Sequence, residues 1–399
     1  MPTMLAMKRL VAGLAMMALS GSALAQPGAP GPASSDSALR EPTRTQNVVL
    51  VMIDGLRWQE VFRGADEKNM TKELGTITDA APFKDRFIKA TPAESRAALL
   101  PFLWGTVAKQ GIIIGNRDKG SECDVANPHW VSYPGYSEVL CGHVDEKITD
   151  NRKRPNPNRN VFEWLQTAKP GYENSAVAFT TWDVFPFIFN TERNNIPVDT
   201  GLEPFTAGKR TDKIDFINRL RNEIPKRWSG SHFDAVTYHM AKEWTAANKP
   251  RLIFLGLGET DEWAHESHYG DYLTSAHRDD GWLAEYWSML QRDPFYRDCT
   301  SMIITCDHGR GDQTTDPKDW ANHNAKTVGA SQTWIAIIGP DTPADGEAAA
   351  SQPSTAGPGV TKPAPLKSGQ IAATIASLLG ENYPAAEPRA MKPLPGVRK

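Results

Sequence analysis

The sequence predicts an α/β fold in which a mostly parallel central sheet carries helices on both faces. Three observations predict it. Short, continuously apolar segments recur at 47–53, 175–180, 251–257, 301–306 and 333–338. Runs that stay apolar without alternating suit strands buried on both faces, the condition of a parallel sheet. Segments with helical character lie between and after them, at 161–167, 214–222, 232–246, 281–291 and 370–379. Strands interleaved with helices give the crossover connections of a layered α/β domain. Finally, three of the apolar runs end in acidic groups: Asp54-Gly55, then Gly258-Glu259-Thr260-Asp261, then Asp307-His308-Gly309. Open α/β sheets place their sites just beyond the C-terminal ends of their strands.

Around this core the chain is simpler. Lys8 and Arg9 precede an apolar run over 10–19, and Ala23-Leu24-Ala25 follows. A basic start, a short apolar stretch and a small-x-small triplet predict a secretory signal peptide over 1–25, and hence a periplasmic or secreted protein. The run is too short to span a bilayer, and no later run is longer. Residues 26–46 are rich in Pro, Ser, Gly and Ala and predict a mobile linker. Residues 47–383 read as one large α/β domain with insertions, or as two domains, and 384–399 as a C-terminal tail. Within the domain, 181–228 is a candidate cap insertion and 340–367 a low-complexity, exposed loop. The net charge of −3 and the lack of a basic stripe argue against nucleic acid as a binding target. Cys123, Cys141, Cys299 and Cys306 lack the close spacing of a structural zinc site and read as disulfides or core thiols.

The candidate site is a set of separate pieces. Asp54 follows a buried strand, and Gly55 permits a sharp turn that aims the carboxylate. Asp261 and His265, four apart, share one helix face and offer an oxygen and a nitrogen to one metal, with Glu262 and His268 as neighbouring rivals. Asp307 and His308, adjacent at a strand end, can serve one metal or two. His323 is a loop histidine that gains meaning only with the others. Ser132 precedes Tyr133-Pro134, and proline suits the first turn of a helix. A serine at a helix N-terminus can attack an ester while free N–H groups and the dipole hold its anionic oxygens; the alternative is that Ser132 merely caps the helix. Ser137 and Ser95 are weaker nucleophile candidates.

The ordered set Asp54, Ser132, Asp261-x-x-x-His265, Asp307-His308, His323 resembles the alkaline phosphatase superfamily, and within it the type I phosphodiesterase/nucleotide pyrophosphatase branch. The strand ending Ile53-Asp54-Gly55 and the Ser132-Tyr133-Pro134 element carry the resemblance, with the closing helix at 371–380. It implies an alkaline-phosphatase-like fold with two divalent metal ions, Zn2+ above all, although manganese would accept the same ligands. It further implies that Asp261, His265 and His323 hold one ion, and that Asp54, Asp307, His308 and the Ser132 oxygen surround the other. The activity implied is hydrolysis of a small-molecule phosphate ester through a phosphoseryl intermediate. Asn151 is the candidate for binding a phosphoryl oxygen, with Asn116 an outside alternative. The chain departs from the branch in carrying serine where threonine is usual, which leaves monoester against diester open. A sulfatase-like hydrolase and a non-catalytic phosphate-ester binding protein of the same fold are the alternatives. Sulfatases need an arginine at the fifth position of the nucleophile motif, where this chain has Tyr136.

Overall fold

The computed structural model describes residues 42–348 and 364–399. The expected signal peptide, most of the expected linker and the middle of the expected low-complexity loop lie outside the described residues.

Among the described residues, eleven strands form two sheets. β1 (Asn47–Ile53), β2 (Gly111–Ile114), β4 (Ala176–Phe179), β5 (Val198–Asp199), β6 (Leu252–Leu257), β7 (Thr300–Thr305), β9 (Ile335–Ile338) and β10 (Gly346–Glu347) make the main sheet, in the order β10-β2-β9-β7-β1-β6-β4-β5. The strand β3 (Cys123–Asp124) sits between β8 (Gln332–Thr333) and β11 (Leu366–Lys367) in a small second sheet. In the main sheet only β9 runs against its neighbours. The α/β reading is correct: the sheet is mostly parallel with helices on both faces.

β1 shows why continuous apolar runs make this sheet. All seven of its residues are buried. Val49, Val51 and Ile53 enter one core cluster and Val48, Leu50 and Met52 the other, because successive side chains leave opposite faces. Each such aliphatic burial contributes about 1.5–3 kcal/mol, so β1 anchors both layers. It lies between β6 and β7, with Ile53 opposite Leu257 and Met52 opposite Thr305. The three strands therefore end at one edge, and the polar residues after each are delivered to one place.

Several boundaries differ from the sequence reading. The linker stops short of Gln46: Thr45 donates its backbone N–H and hydroxyl to the Asp341 carboxylate, and Gln46 N–H bonds to the Cys299 carbonyl. The low-complexity segment has ordered ends, since Glu347 lies in β10 and is held by Arg96, Lys119 and Asn116. Residues 333–338 are two short strands, one in each sheet. Residues 281–291 are the second half of a helix running over Tyr269–Arg292. The segment 181–228 contributes β5 to the sheet edge and the helices Phe185–Phe189 and Asp212–Glu223. All four cysteines are free thiols, and burial pushes Cys123 and Cys141 up to about 12. No described helix is long and apolar enough to cross a membrane.

Candidate two-metal active site

The site stands at the edge where β1, β6 and β7 end. Asp54 leaves β1 into a turn at Gly55, whose φ is +61°. Gly55 is required twice over. L side chains rarely adopt that φ, and a Cβ there would lie 2.8 Å from Arg310 Nε and 3.0 Å from Asp261 Oδ1. Gly55 N–H donates to Asp307 Oδ1 at 3.1 Å, which fixes one oxygen of that carboxylate. Tyr136 OH donates to Asp54 Oδ2 at 3.0 Å and fixes one oxygen of the other. The remaining oxygens, Asp54 Oδ1 and Asp307 Oδ2, are buried without a hydrogen-bond donor. His308 Nε2 lies 3.4 Å from the first and 3.2 Å from the second. Its Nδ1 bonds to the Gly309 carbonyl at 2.9 Å, so Nε2 is the nitrogen left free to coordinate a metal.

A second group stands beside the first. The helix Glu259–His265 follows β6 and places Asp261 and His265 on one face, with His265 Nε2 3.1 Å from Asp261 Oδ2. His323 comes from the loop after β7. Its Nε2 is 3.0 Å from His265 Nε2 and 3.6 Å from Asp261 Oδ1, while its Nδ1 bonds to the Trp130 carbonyl. The His308 and His323 rings stack at 3.7 Å between centroids, so the two groups share a wall. Asp54, Asp307 and His308 form one compact ligand set, and Asp261, His265 and His323 another.

Burial, then the neighbouring Asp307, raises Asp54 well above the usual carboxylate range, and burial raises Asp307 to about 7. Desolvation lowers His265, His308 and His323, keeping the imidazoles neutral and able to coordinate. Two buried carboxylate oxygens without donors, beside neutral imidazoles, fit a divalent cation and little else.

Ser132 opens the helix Ser132–Cys141, with Val131 as the N-cap residue, so the serine is not a capping side chain. It is 5 % exposed, and its Oγ lies 3.4 Å from His308 Nε2. The helix is pressed against β7's end, since a Cβ on Gly135 would fall 2.3 Å from the Asp307 carbonyl. Asn151 Oδ1 accepts from Tyr133 N–H at 2.9 Å, which leaves its amide nitrogen as a donor. Asp54, Ser132, Asn151, Asp261, His265 and His323 all line one cavity of about 200 Å³.

Other candidates fall elsewhere. Asn116 is bound to Glu347. Ser137 bonds with Asn156, and Ser95 Oγ accepts from Lys89 N–H. His268 pairs with Asp271, outside both ligand sets. Arg152 and Arg154 pair with Asp150, and Lys153 with Asp183. Two residues escaped the sequence reading. Tyr136 is one helical turn from Ser132, a spacing that could have revealed it. Arg310, fully buried, donates to the Asp261 carboxylate and to the Ala321 carbonyl. Burial lowers its guanidinium to about 9.

The main sheet, with two groups of candidate metal-holding residues at one edge, has an alkaline-phosphatase-like fold. No family model and no curated protein sequence matches the chain. Solved structures do. Alkaline phosphatase PafA matches at a TM-score of 0.54 and 10 % identity, over 90 % of this chain and 99 % of that one. The phosphonate monoester hydrolase of Silicibacter pomeroyi matches at 0.51 and 14 %, over 88 % and 76 %. A candidate sulfatase from Bacteroides thetaiotaomicron matches at 0.52 and 12 %, over 89 % and 75 %. The chain has their fold.

Proposed function

We propose that the chain is a metal-dependent hydrolase of phosphoric esters with Ser132 as nucleophile. One observation carries the proposal: a buried serine at a helix N-terminus stands 3.4 Å from a histidine of one ligand set, in a cavity also lined by the second set. Two divalent ions held there, zinc foremost, would supply Lewis acidity at the nucleophile and at the leaving oxygen.

The chain's own residues supply the rest. Gly55 N–H and Tyr136 OH lock Asp54 and Asp307 so that each turns one oxygen toward a cation. The backbone carbonyls of Gly309 and Trp130 set which nitrogen of His308 and His323 coordinates. Ser132 Oγ would form the new bond to phosphorus as the ester P–O bond breaks and the alcohol departs. The amide of Asn151 and the first-turn N–H groups would hold phosphoryl oxygens. Water then cleaves the Ser132 phosphoester and restores the hydroxyl. Export from the cytoplasm belongs to the same proposal and rests on the leader pattern over 1–25.

The test is hydrolysis of p-nitrophenyl phosphate and bis-p-nitrophenyl phosphate by zinc-loaded protein, chelated protein and Ser132→Ala. Loss of activity in the last two supports the reading, and the preferred substrate decides monoester against diester. Undiminished activity in Ser132→Ala removes the serine from its role. Turnover of p-nitrophenyl sulfate in preference to both phosphates would favour the sulfatase-like alternative.

A further inference from the structure

The cavity beside Ser132 has a wall that neither ligand set uses. After β4 the chain runs through Thr181 and Trp182, and Trp182 forms an isolated antiparallel bridge with Ser231. The bridge is flanked by bonds from Asp183 N–H to the Gly230 carbonyl and from His232 N–H to the Thr181 carbonyl, both 2.9 Å. This ribbon places Trp182 and Ser231 on the cavity side, where they meet Glu262 from the helix after β6. Ser231, 5 % exposed, sets its hydroxyl toward the Glu262 carboxylate.

Glu262 is the unexplained member. It belongs to neither ligand set. Its charged neighbours are His265 and Glu266, and no lysine or arginine lines the cavity. A partly buried carboxylate with one neutral donor has acceptor capacity to spare. An anionic substituent brought against it would be repelled, and an apolar one would desolvate it without replacing its hydrogen bonds. A substituent carrying O–H or N–H groups would satisfy it, and the Trp182 ring offers a flat apolar face to the carbons between them.

We propose that Glu262, Ser231 and Trp182 form a subsite for the alcohol part of the ester, selecting esters whose alcohol carries hydrogen-bond donors, hydroxyl or ammonium. The inference rests on the hydrolase reading for its substrate, but its test does not need turnover. Binding of O-phosphoethanolamine, glycerol 2-phosphate, ethyl phosphate and 3-phosphoglycerate to zinc-loaded Ser132→Ala is measured by calorimetry. At least one of the two donor-bearing esters binds roughly tenfold or more tighter than ethyl phosphate, as a hydrogen bond to a charged acceptor provides. Phosphoglycerate, with its carboxylate, binds weakest. The two donor-bearing ligands separate the sources: a lead for phosphoethanolamine identifies an ammonium, a lead for glycerol phosphate a polyol.

Adding Glu262→Gln to the same protein reduces the lead over ethyl phosphate to about threefold or less and narrows the penalty on phosphoglycerate. Equal affinity for all four ligands, no binding of any, or a preference untouched by Glu262→Gln overturns the subsite. If the binding preference holds while zinc-loaded wild type hydrolyses none of the four, nor p-nitrophenyl phosphate, nor bis-p-nitrophenyl phosphate, the hydrolase reading fails and the subsite stands.

Discussion

Arg310, fully buried, and Asp261 form an ion pair that ties the chain after β7 to the helix carrying Asp261 and His265. The same guanidinium reaches the Ala321 carbonyl, two residues before His323. One side chain thus joins Asp261 to the backbone two residues before His323, while belonging to neither candidate metal-holding group itself. Arg310→Met should lower zinc affinity at that set by about 10–100-fold, the usual cost of removing a residue that orients a ligand. Arg310→Lys, which keeps charge but not the planar fork, should recover only part of it. Competition titration against a zinc chelator measures both, and unchanged affinity in Arg310→Met would contradict the role.

Gly55→Ala should disturb the site from the other side. The new Cβ would press on Arg310 Nε and Asp261 Oδ1 at a φ of +61°. A loss of about 1–3 kcal/mol in urea unfolding is expected from strain at such a position, together with reduced metal occupancy. A variant as stable and as metal-replete as wild type would show that the turn can open without harm.

The buried pair Arg57–Glu60 should behave as an all-or-nothing unit. Both side chains are about 1 % exposed or less, and Glu60 also accepts from Tyr269 and Tyr272. Arg57→Leu leaves a buried carboxylate without its cation and should cost about 3–5 kcal/mol. The double variant Arg57→Leu, Glu60→Leu should recover much of that. Additive losses would mean that the pair is not coupled.

Asp280 gives a stability dependence on pH with a defined sign. Its carboxylate accepts from Phe102 and Leu103 N–H, yet burial raises it to about 7. A carboxyl group raised on folding favours the folded state fully below its unfolded value near 4, and that contribution is lost as pH rises toward 7. Wild type should therefore lose up to about 4 kcal/mol between those limits through this one group. Asp280→Asn should flatten that part of the stability profile. Parallel profiles for the two proteins would refute the assignment.

Much of this was legible in the sequence because the site uses strand ends. Asp54 and Asp307 follow continuous apolar runs, and Asp261 and His265 share the four-residue spacing of a helix face, so local pattern alone exposed them. Arg310 was not legible. An arginine after Asp307-His308-Gly309 looks like any solvated loop cation until its partner, 49 positions away in the chain, is brought against it. β2 was missed because Gly111–Ile114 offers too few residues to show a period. The first half of the long helix was missed: Asp279 and Asp280 interrupt its apolar period, although both are buried.

The central position of β1 has a consequence for how the protein is made. The first strand of the described chain finds no partner in the segments that follow it directly; Val48 waits for Leu252 and for Ser301. Such distant pairing gives a high contact order and slow folding. The two candidate cation sites draw on residues from Asp54 to His323, so neither exists in a chain that has not yet threaded that strand between its neighbours. A metal bound at these candidate sites would therefore deepen the finished state without guiding the chain there, and its uptake would report completed folding.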